Sequence, residues 1–168
     1  KIPYIWHRHF TAFTGNFDSR YFPETLYIPE FEYYLNLDKA YVKVLEDKNF
    51  IPMVAKGIGI KTPETVLSCT KGFFCDKEGA CDKKTALLKM ADAGEVFIKP
   101  TVDTCSGEKC FLADIRSGKD IISSRTLENI FDELGNDFVI QKKIICSNDI
   151  RNLYPKAVNT FRVITYRW

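Results

Sequence analysis

The sequence has little of what marks metal-binding and disulfide-rich proteins. It has two histidines and six cysteines, and no two cysteines form a Cys-x-x-Cys pair. Structural zinc sites use such short ligand spacings, so a zinc centre is not expected. Disulfides need an oxidising compartment, and no secretory signal peptide is visible. We therefore interpret the cysteines as free thiols in a reducing cytoplasm, acting as small apolar side chains.

An excess of one charge and long apolar runs are also missing. The 24 basic and 22 acidic residues give a formal net charge of +2, which does not favour a nucleic-acid partner. No apolar run approaches the ~18 residues that span a bilayer. A hydrophobic content of 45% and an aromatic content of 14% are sufficient for a core. These features predict a cytoplasmic globular protein without a membrane span.

The ends of the sequence indicate part of a longer protein. It begins with Lys1 rather than methionine and stops in a strand-like run, residues 163–168, with no turn after it. Residues 1–36 are rich in aromatic side chains without a clear period. We interpret them as a docking arm or partial lobe whose rings cover a core. Base stacking is the less favoured alternative because few basic residues are interleaved.

The remaining residues mix helical and strand patterns. Apolar residues recur three and four apart between Leu37 and Lys56, which predicts a helix that Pro52 bends or restarts. Further helices are predicted from an Asp82 N-cap to Gly94 and over 124–134. Predicted strands lie at 65–68, 73–75, 96–99, 110–113, 138–141 and 160–166. Because helices and strands do not alternate regularly, the pattern favours an α+β fold with antiparallel strands.

The strand that ends in Lys99 is the most informative segment. Val96, Phe97 and Ile98 predict a buried strand that delivers one cation to the edge of a site. The polar loop over 101–108 that follows contains glycine, so its backbone N–H groups can approach a phosphate. A fixed cation beside accessible N–H groups suits a polyphosphate, so a nucleotide site is the leading prediction.

Four segments, in this order, resemble the ATP-grasp superfamily. They are residues 47–50 leading to 62–66, residues 97–100 with Ser106 and Gly107, residues 138–142, and residues 159–165, which read NTFRVIT. With the GFFCDKEG hairpin at 72–79, the last is similar to sugar-transfer-associated ATP-grasp proteins, which accompany capsule and exopolysaccharide genes. The resemblance covers about residues 30–168. It implies an N-terminal aromatic segment (1–36), an antiparallel-sheet lobe (37–140), and a hinge with the start of the C-terminal lobe (141–168).

The resemblance implies that lysines and a loop contact the phosphates of ATP. Lys48 corresponds to a lysine that reaches a phosphate, and Lys99 to one that contacts the α-phosphate side and the adenine edge. The loop with Ser106, Gly107 and Lys109 is similar to the loop that covers the phosphates. The alternatives are a solvated surface lysine for Lys48 and an ordinary surface turn for the loop.

The hinge segment is implied to hold the adenosine. Main-chain groups of Lys142 and Ile144 would pair with adenine, and Gln141 would meet its N6 edge where relatives often have glutamate. Asn148 or Asp149 would meet the ribose hydroxyls. The alternative for both is the N-cap of a helix.

The last motif is implied to act on the transferred phosphate. Arg162 would contact the phosphate or the acceptor, and Asn159 would hold Arg162 or the substrate. The alternative is an edge-strand arginine that faces water. Relatives bind Mg²⁺ through carboxylates downstream of this strand, so the metal ligands are expected beyond Trp168.

The implied activity is an ATP-dependent carboxylate ligase of surface polysaccharide biosynthesis. An acylphosphate intermediate would react with an amine or hydroxyl of a small-molecule or sugar acceptor. Because the metal ligands are expected downstream, this fragment alone is expected to bind ATP weakly and to be inactive. The alternatives are a non-catalytic nucleotide-sensing or interaction module, which the single loop glycine and Gln141 favour, and a structural scaffold.

Overall fold

The computed structural model describes residues 4–35, 44–102 and 107–161. The chain divides into two compact units, residues 1–44 and residues 45–168.

The described part of the first unit is helical. Its elements are α1 (Ile5–Thr14), α2 (Glu24–Leu26), a π-helix (Tyr27–Glu32) and α3 (Tyr33–Leu35). The ring of Phe10 packs against Trp6 and Tyr21, with centroid distances of 5.9 and 5.2 Å. Phe13 remains 81% exposed. The aromatic side chains of this unit are therefore only partly packed against one another.

The second unit is built on one antiparallel sheet of seven strands. The strands are β1 (Thr65–Thr70), β2 (Phe73–Asp76), β3 (Gly79–Cys81), β4 (Gly94–Pro100), β5 (Phe111–Arg116), β6 (Lys119–Asp120) and β7 (Phe138–Lys142). Their order is β3-β2-β1-β7-β4-β5-β6. The α+β fold with antiparallel strands is confirmed, and β7 lies between β1 and β4.

The second unit has four helices, of which the second and the third begin at side-chain caps. They are α4 (Ile51–Gly57), α5 (Lys83–Met90), α6 (Leu127–Leu134) and α7 (Asn148–Arg151). Asp82 caps α5 as predicted, because its carboxylate accepts the N–H of Thr85 at 2.7 Å. Helix α6 begins after Thr126, which accepts the N–H of Asn129 at 3.2 Å. It starts later than the predicted residue 124 because this threonine supplies the cap.

The core lies on one face of the sheet, where α5 and α6 pack. Val96 and Ile98 of β4 are fully buried there, whereas Phe97 is 38% exposed on the opposite face. Successive side chains of a strand point to opposite faces. The prediction that this strand is buried is therefore correct for one face only. The fully packed core residues include Leu67, Met90, Val96, Ile98, Ala113, Ile115, Ile130, Phe138 and Ile140.

The structure matches one predicted boundary, the restart of the first helix at Pro52, and differs from two others. The predicted helix over 37–56 restarts at Ile51, with Pro52 in its first turn, where a missing N–H has no cost. Gly94 begins β4 and does not end the preceding helix, which stops at Met90. The predicted strand over 160–166 lies mostly outside the described residues, and Thr160 and Phe161 are not in a strand.

Candidate functional site

A row of three side chains crosses the face of the sheet that is turned away from the core. Phe97 of β4 pairs with Leu112 of β5 on one side and with Gln141 of β7 on the other. Phe97 and Leu112 are 38% and 36% exposed. Since residues two apart in a strand share a face, Lys99 lies on this face beside Phe97. We call Leu112, Phe97 and Gln141 the cavity floor.

Gln141 is a buried polar member of the cavity floor. Its side chain is buried, and its Nε2 donates to Oγ1 of Thr65 at 3.3 Å. Thr65 is also its partner in the β1–β7 ladder. This bond fixes the amide and leaves its carbonyl oxygen as a neutral acceptor.

A cavity of about 800 Å³ lies over the floor. This volume is in the usual range for small-molecule sites. Residues 143–146, which follow β7, and residues 155–158 form its other walls. The lining side chains are Pro63, Phe97, Lys99, Leu112, Gln141, Lys142, Lys143, Ile144, Ile145, Cys146, Arg151, Pro155, Lys156, Ala157, Val158 and Thr160. Of the predicted site residues, the cavity therefore brings together Lys99, Gln141, Lys142 and Ile144.

Lys48 lies close to Lys99 at the end of β4. The backbone N–H and the ammonium group of Lys48 both donate to the carbonyl oxygen of Thr101, at 3.1 and 3.3 Å. Partial burial lowers the pKa of Lys99, and the charge of Lys48 lowers it further. Two lysines that are distant in the sequence thus hold like charges near one another. Such an arrangement favours a polyanion between or beside them.

Two other cavity lysines are neutralised by ion pairs. Lys142 lies 2.8 Å from Glu64, and Lys143 lies 2.6 Å from Glu95. All four side chains are partly exposed to solvent, so each pair adds little stability. The pairs hold the two lysines at the cavity wall.

Arg151 and Lys156 were missed by the sequence reasoning. Both line the cavity, and neither side chain has a hydrogen bond or an ion pair within the described residues. No acidic side chain lines the cavity in the part of the chain that the structure describes. Their signal was weak, because isolated basic residues in a polar loop are common on protein surfaces. The cavity is therefore electropositive on more than one wall.

The main chain after β7 has one occupied and one open donor. The N–H of Lys142 donates to the carbonyl oxygen of Glu64 at 2.9 Å. The N–H of Ile144 has no acceptor among the described residues. A planar ligand at this wall would therefore meet an available N–H at Ile144.

The residues predicted to meet the ribose are not helix caps. Ser147 is the N-cap of α7, and Asn148 and Asp149 are its first two residues. Both are exposed and lie outside the cavity lining. The alternative that either one caps a helix is therefore wrong.

Asn159 connects the segments that follow the cavity wall. Its Nδ2 donates to the carbonyl oxygens of Ile150 and Tyr154, both at 3.1 Å. Its N–H donates to the sulfur of Cys146 at 3.2 Å. The amide thus joins α7 to the loop after it.

The predicted phosphate loop is described only in part. Gly107, with a φ of 80°, accepts the N–H of Cys110 at 3.0 Å in a turn. Lys109 has a φ of 56° and is exposed. Ser106 and Arg162 lie outside the described residues.

The comparison with protein families assigns the chain to a known one. The family model for sugar-transfer-associated ATP-grasp proteins matches residues 29–167. The chain belongs to the sugar-transfer-associated ATP-grasp family. Searches of curated proteins and of solved structures returned no match. The part of this ATP-grasp chain that the family model matches includes every residue of the cavity lining.

The described residues do not offer this ATP-grasp chain a metal site of its own. No group of three or more His, Cys, Asp or Glu side chains within residues 4–35, 44–102 and 107–161 could hold a metal ion. Cys69, Cys75, Cys81, Cys110 and Cys146 are free thiols. In the same ranges, no helix is both long and apolar enough to cross a membrane.

Proposed function

We propose that the cavity over β5, β4 and β7 binds ATP. The observation that carries this proposal is the proximity of Lys48 and Lys99 at the end of β4, beside the apolar residues of the cavity floor and an open main-chain donor. A nucleotide needs these three features together. An apolar surface takes the base, a main-chain edge recognises it, and cations take the phosphates.

In this proposal the adenine lies on Phe97 and Leu112. Its ring edge faces the main chain of Lys142 and Ile144. The carbonyl oxygen of Lys142 accepts a hydrogen bond from the N6 amino group, and the N–H of Ile144 donates one to a ring nitrogen. Gln141 supports the same edge through its side-chain carbonyl oxygen. Asn148 or Asp149, at the start of α7 and outside the cavity lining, would then meet the ribose.

The phosphates extend toward Lys99 and Lys48. The loop that contains Ser106, Gly107 and Lys109 covers them, and Arg162 contacts the transferred phosphate or the acceptor. These cations would stabilise negative charge that develops on the phosphoryl oxygens during transfer. Arg151 and Lys156 add to the positive field that attracts the nucleotide.

Family membership supports a ligase-like reaction that uses ATP. We propose that a substrate carboxylate attacks the γ-phosphoryl group, which gives an acylphosphate and ADP. An amine or a hydroxyl of a sugar acceptor, which Asn159 helps to hold, then attacks the acyl carbon and releases phosphate. The family pairs ATP with Mg²⁺, and we assign no ligand of that ion to a described residue.

A second candidate is a module that binds ATP and does not transfer its phosphate. Gln141 favours it, because relatives often have glutamate at this position and an amide binds adenine less selectively. A turnover assay separates the two candidates, because only the enzyme would release ADP when carboxylates are supplied together with amines or sugars.

Competition between nucleotides tests the proposed site. We expect ATP to displace a fluorescent ATP analogue from the purified chain, and adenosine, which has no phosphate, to displace it far more weakly. Displacement should depend on Lys99, whereas Lys84, an exposed lysine of α5, is the matched control. If Lys99→Met and Lys84→Met bind the analogue equally, the proposed phosphate site is wrong.

A further inference from the structure

Lys48 lies in a turn that is held by its own hydrogen bonds. The carboxylate of Asp47 accepts the N–H of Asn49 at 2.9 Å, and its carbonyl oxygen accepts the N–H of Phe50 at 2.9 Å. Aspartate commonly closes turns in this way. The turn therefore presents Lys48 and Asn49 as a unit with a defined shape.

The turn is also attached to two strands that are not neighbours in the sheet. The N–H and the ammonium group of Lys48 donate to Thr101, directly after β4. Nδ2 of Asn49 donates to Oγ1 of Thr70, the last residue of β1, at 2.9 Å. It also lies 3.5 Å from the carbonyl oxygen of Cys69, which is fully buried.

The register of the sheet explains how one short turn reaches both strands. Cys69 of β1 and Pro100 of β4 both pair with Phe138 of the intervening β7. The next residues, Thr70 and Thr101, therefore lie at the same end of the sheet, where β1 and β4 both finish. The turn crosses the end of β7 and is attached on both sides of it.

Two buried oxygen atoms beside Lys48 lack hydrogen-bond partners. Within the described residues, neither Oδ1 of Asn49 nor Oγ1 of Thr101 has one. Buried polar atoms without partners lower stability, and such departures concentrate at functional sites. This indicates that the turn is not arranged for stability alone.

We propose that Asn49 and Thr70 form a positioning pair for Lys48. Their hydrogen bond fixes the outer side of the turn, so that the ammonium group of Lys48 stays at Thr101 and beside Lys99. Neither residue of the pair touches the nucleotide. This inference rests on the proposed ATP site and adds two residues that set the affinity of that site for phosphate.

The exposed hydroxyl of Thr70 offers a mild test. Thr70→Val keeps the shape of the side chain and removes the acceptor, whereas Thr70→Ser keeps the hydroxyl. We expect the valine variant to raise the Kd for ATP about fivefold, the usual effect of one lost hydrogen bond. The serine variant should stay within about twofold of wild type.

A hydroxyl on the same strand provides the control. Ser68 donates to the carbonyl oxygen of Cys75 at 3.2 Å, away from the turn. Ser68→Ala should leave the ATP affinity unchanged. Thermal unfolding checks that every variant is folded. Asn49→Ala removes the other partner of the hydrogen bond and should weaken ATP binding as much as Thr70→Val does.

A double-mutant cycle shows whether the pair acts through Lys48. In a Lys48→Ala background, Thr70→Val should cause no further loss of ATP affinity. In the wild-type background, Thr70→Val should also raise the pKa of Lys99, because the nearby charge of Lys48 contributes to lowering that pKa. A purely structural effect of Thr70 would persist in the Lys48→Ala background.

The outcomes separate this inference from the proposed function. If Lys48→Ala leaves the ATP affinity unchanged, the phosphate role of Lys48 fails and the positioning role fails with it. If Lys48→Ala weakens binding and Thr70→Val does not, the positioning pair is wrong and the ATP site stands. Equal losses from Thr70→Val in both backgrounds also overturn the positioning role.

Discussion

Phe97 of β4 lies directly opposite Gln141 of β7, on the face of the sheet that is turned away from the core. The pair places an aromatic ring beside a buried amide at the base of the cavity. The main chain after Gln141 continues as the wall that carries the open N–H of Ile144. One ladder position thus joins the surface proposed for the base to the edge proposed to recognise it.

Phe97→Ala should weaken ATP binding about tenfold, because contact between a base and an aromatic ring contributes roughly 1–3 kcal/mol. Phe97 is outside the core, so the melting temperature should change little. Phe73, which is 79% exposed on β2, is the matched control. Fluorescence competition with ATP measures both variants, and equal affinities for Phe97→Ala and Phe73→Ala would contradict the proposed base position.

Lys99→Met should separate binding from stability. Loss of a charged phosphate partner should raise the Kd for ATP about 10- to 100-fold. Burial and the charge of Lys48 both disfavour the charged form of Lys99, so its removal should leave the melting temperature unchanged or higher. Calorimetric unfolding checks this. A large drop in melting temperature would contradict the expectation that the buried charge of Lys99 opposes folding.

The affinity for ATP should fall as pH rises through the lowered pKa of Lys99. Burial and the nearby Lys48 place this pKa below the ordinary lysine value of 10.5. The free protein therefore loses this charge at a lower pH than an exposed lysine does, and ATP must restore the proton to bind. Binding should take up protons in that window.

Titrations in buffers of different ionisation enthalpy measure this proton uptake. Lys99→Arg, which stays charged, should remove the pH dependence in that window. An unchanged pH profile in the arginine variant would show that another group is responsible.

The lowered pKa of Lys99 also makes the stability of the fold depend on pH. Below its pKa in the folded protein, Lys99 is charged in both the folded and the unfolded chain, and burial then opposes folding. Between the folded pKa and the unfolded pKa, the unfolded chain binds more protons, so the contribution of Lys99 to stability improves as pH rises.

Asn159→Ala should loosen the cavity wall over 155–160. The variant loses two hydrogen bonds to the carbonyl oxygens of Ile150 and Tyr154, so we expect faster proteolysis there and an ATP affinity about threefold lower. Asn152→Ala, at the exposed end of α7, is the control. Equal proteolysis of the two variants would contradict the connecting role of Asn159.

The individual strands could be predicted from the sequence, but their order in the sheet could not. The strand at 138–141 and the hairpin at 73–79 follow from apolar runs and turn residues, and both are present. The position of β7 between β1 and β4 depends on long-range pairing, which local patterns do not encode. The order of the strands was therefore beyond the sequence argument.

The same limit applies to the site. Lys99 could be predicted because a lysine at the end of an apolar strand is unusual. The role of Phe97 in the cavity floor could not be predicted, because a run of three apolar residues predicts a fully buried strand. In the structure only alternate side chains of the run face the core. Arg151 and Lys156 have no local signal, and only the folded loop brings them to the cavity.

The central claim is that Lys48 and Lys99 together bind the phosphates of a nucleotide whose base occupies the cavity. Calorimetric titration of the purified chain with ATP and Mg²⁺, for wild type and for the double variant Lys48→Ala/Lys99→Met, tests it most directly. The account predicts saturable binding of one ATP per chain that the double variant loses. No heat of binding from the wild type at millimolar ATP, or equal binding by the double variant, would contradict it.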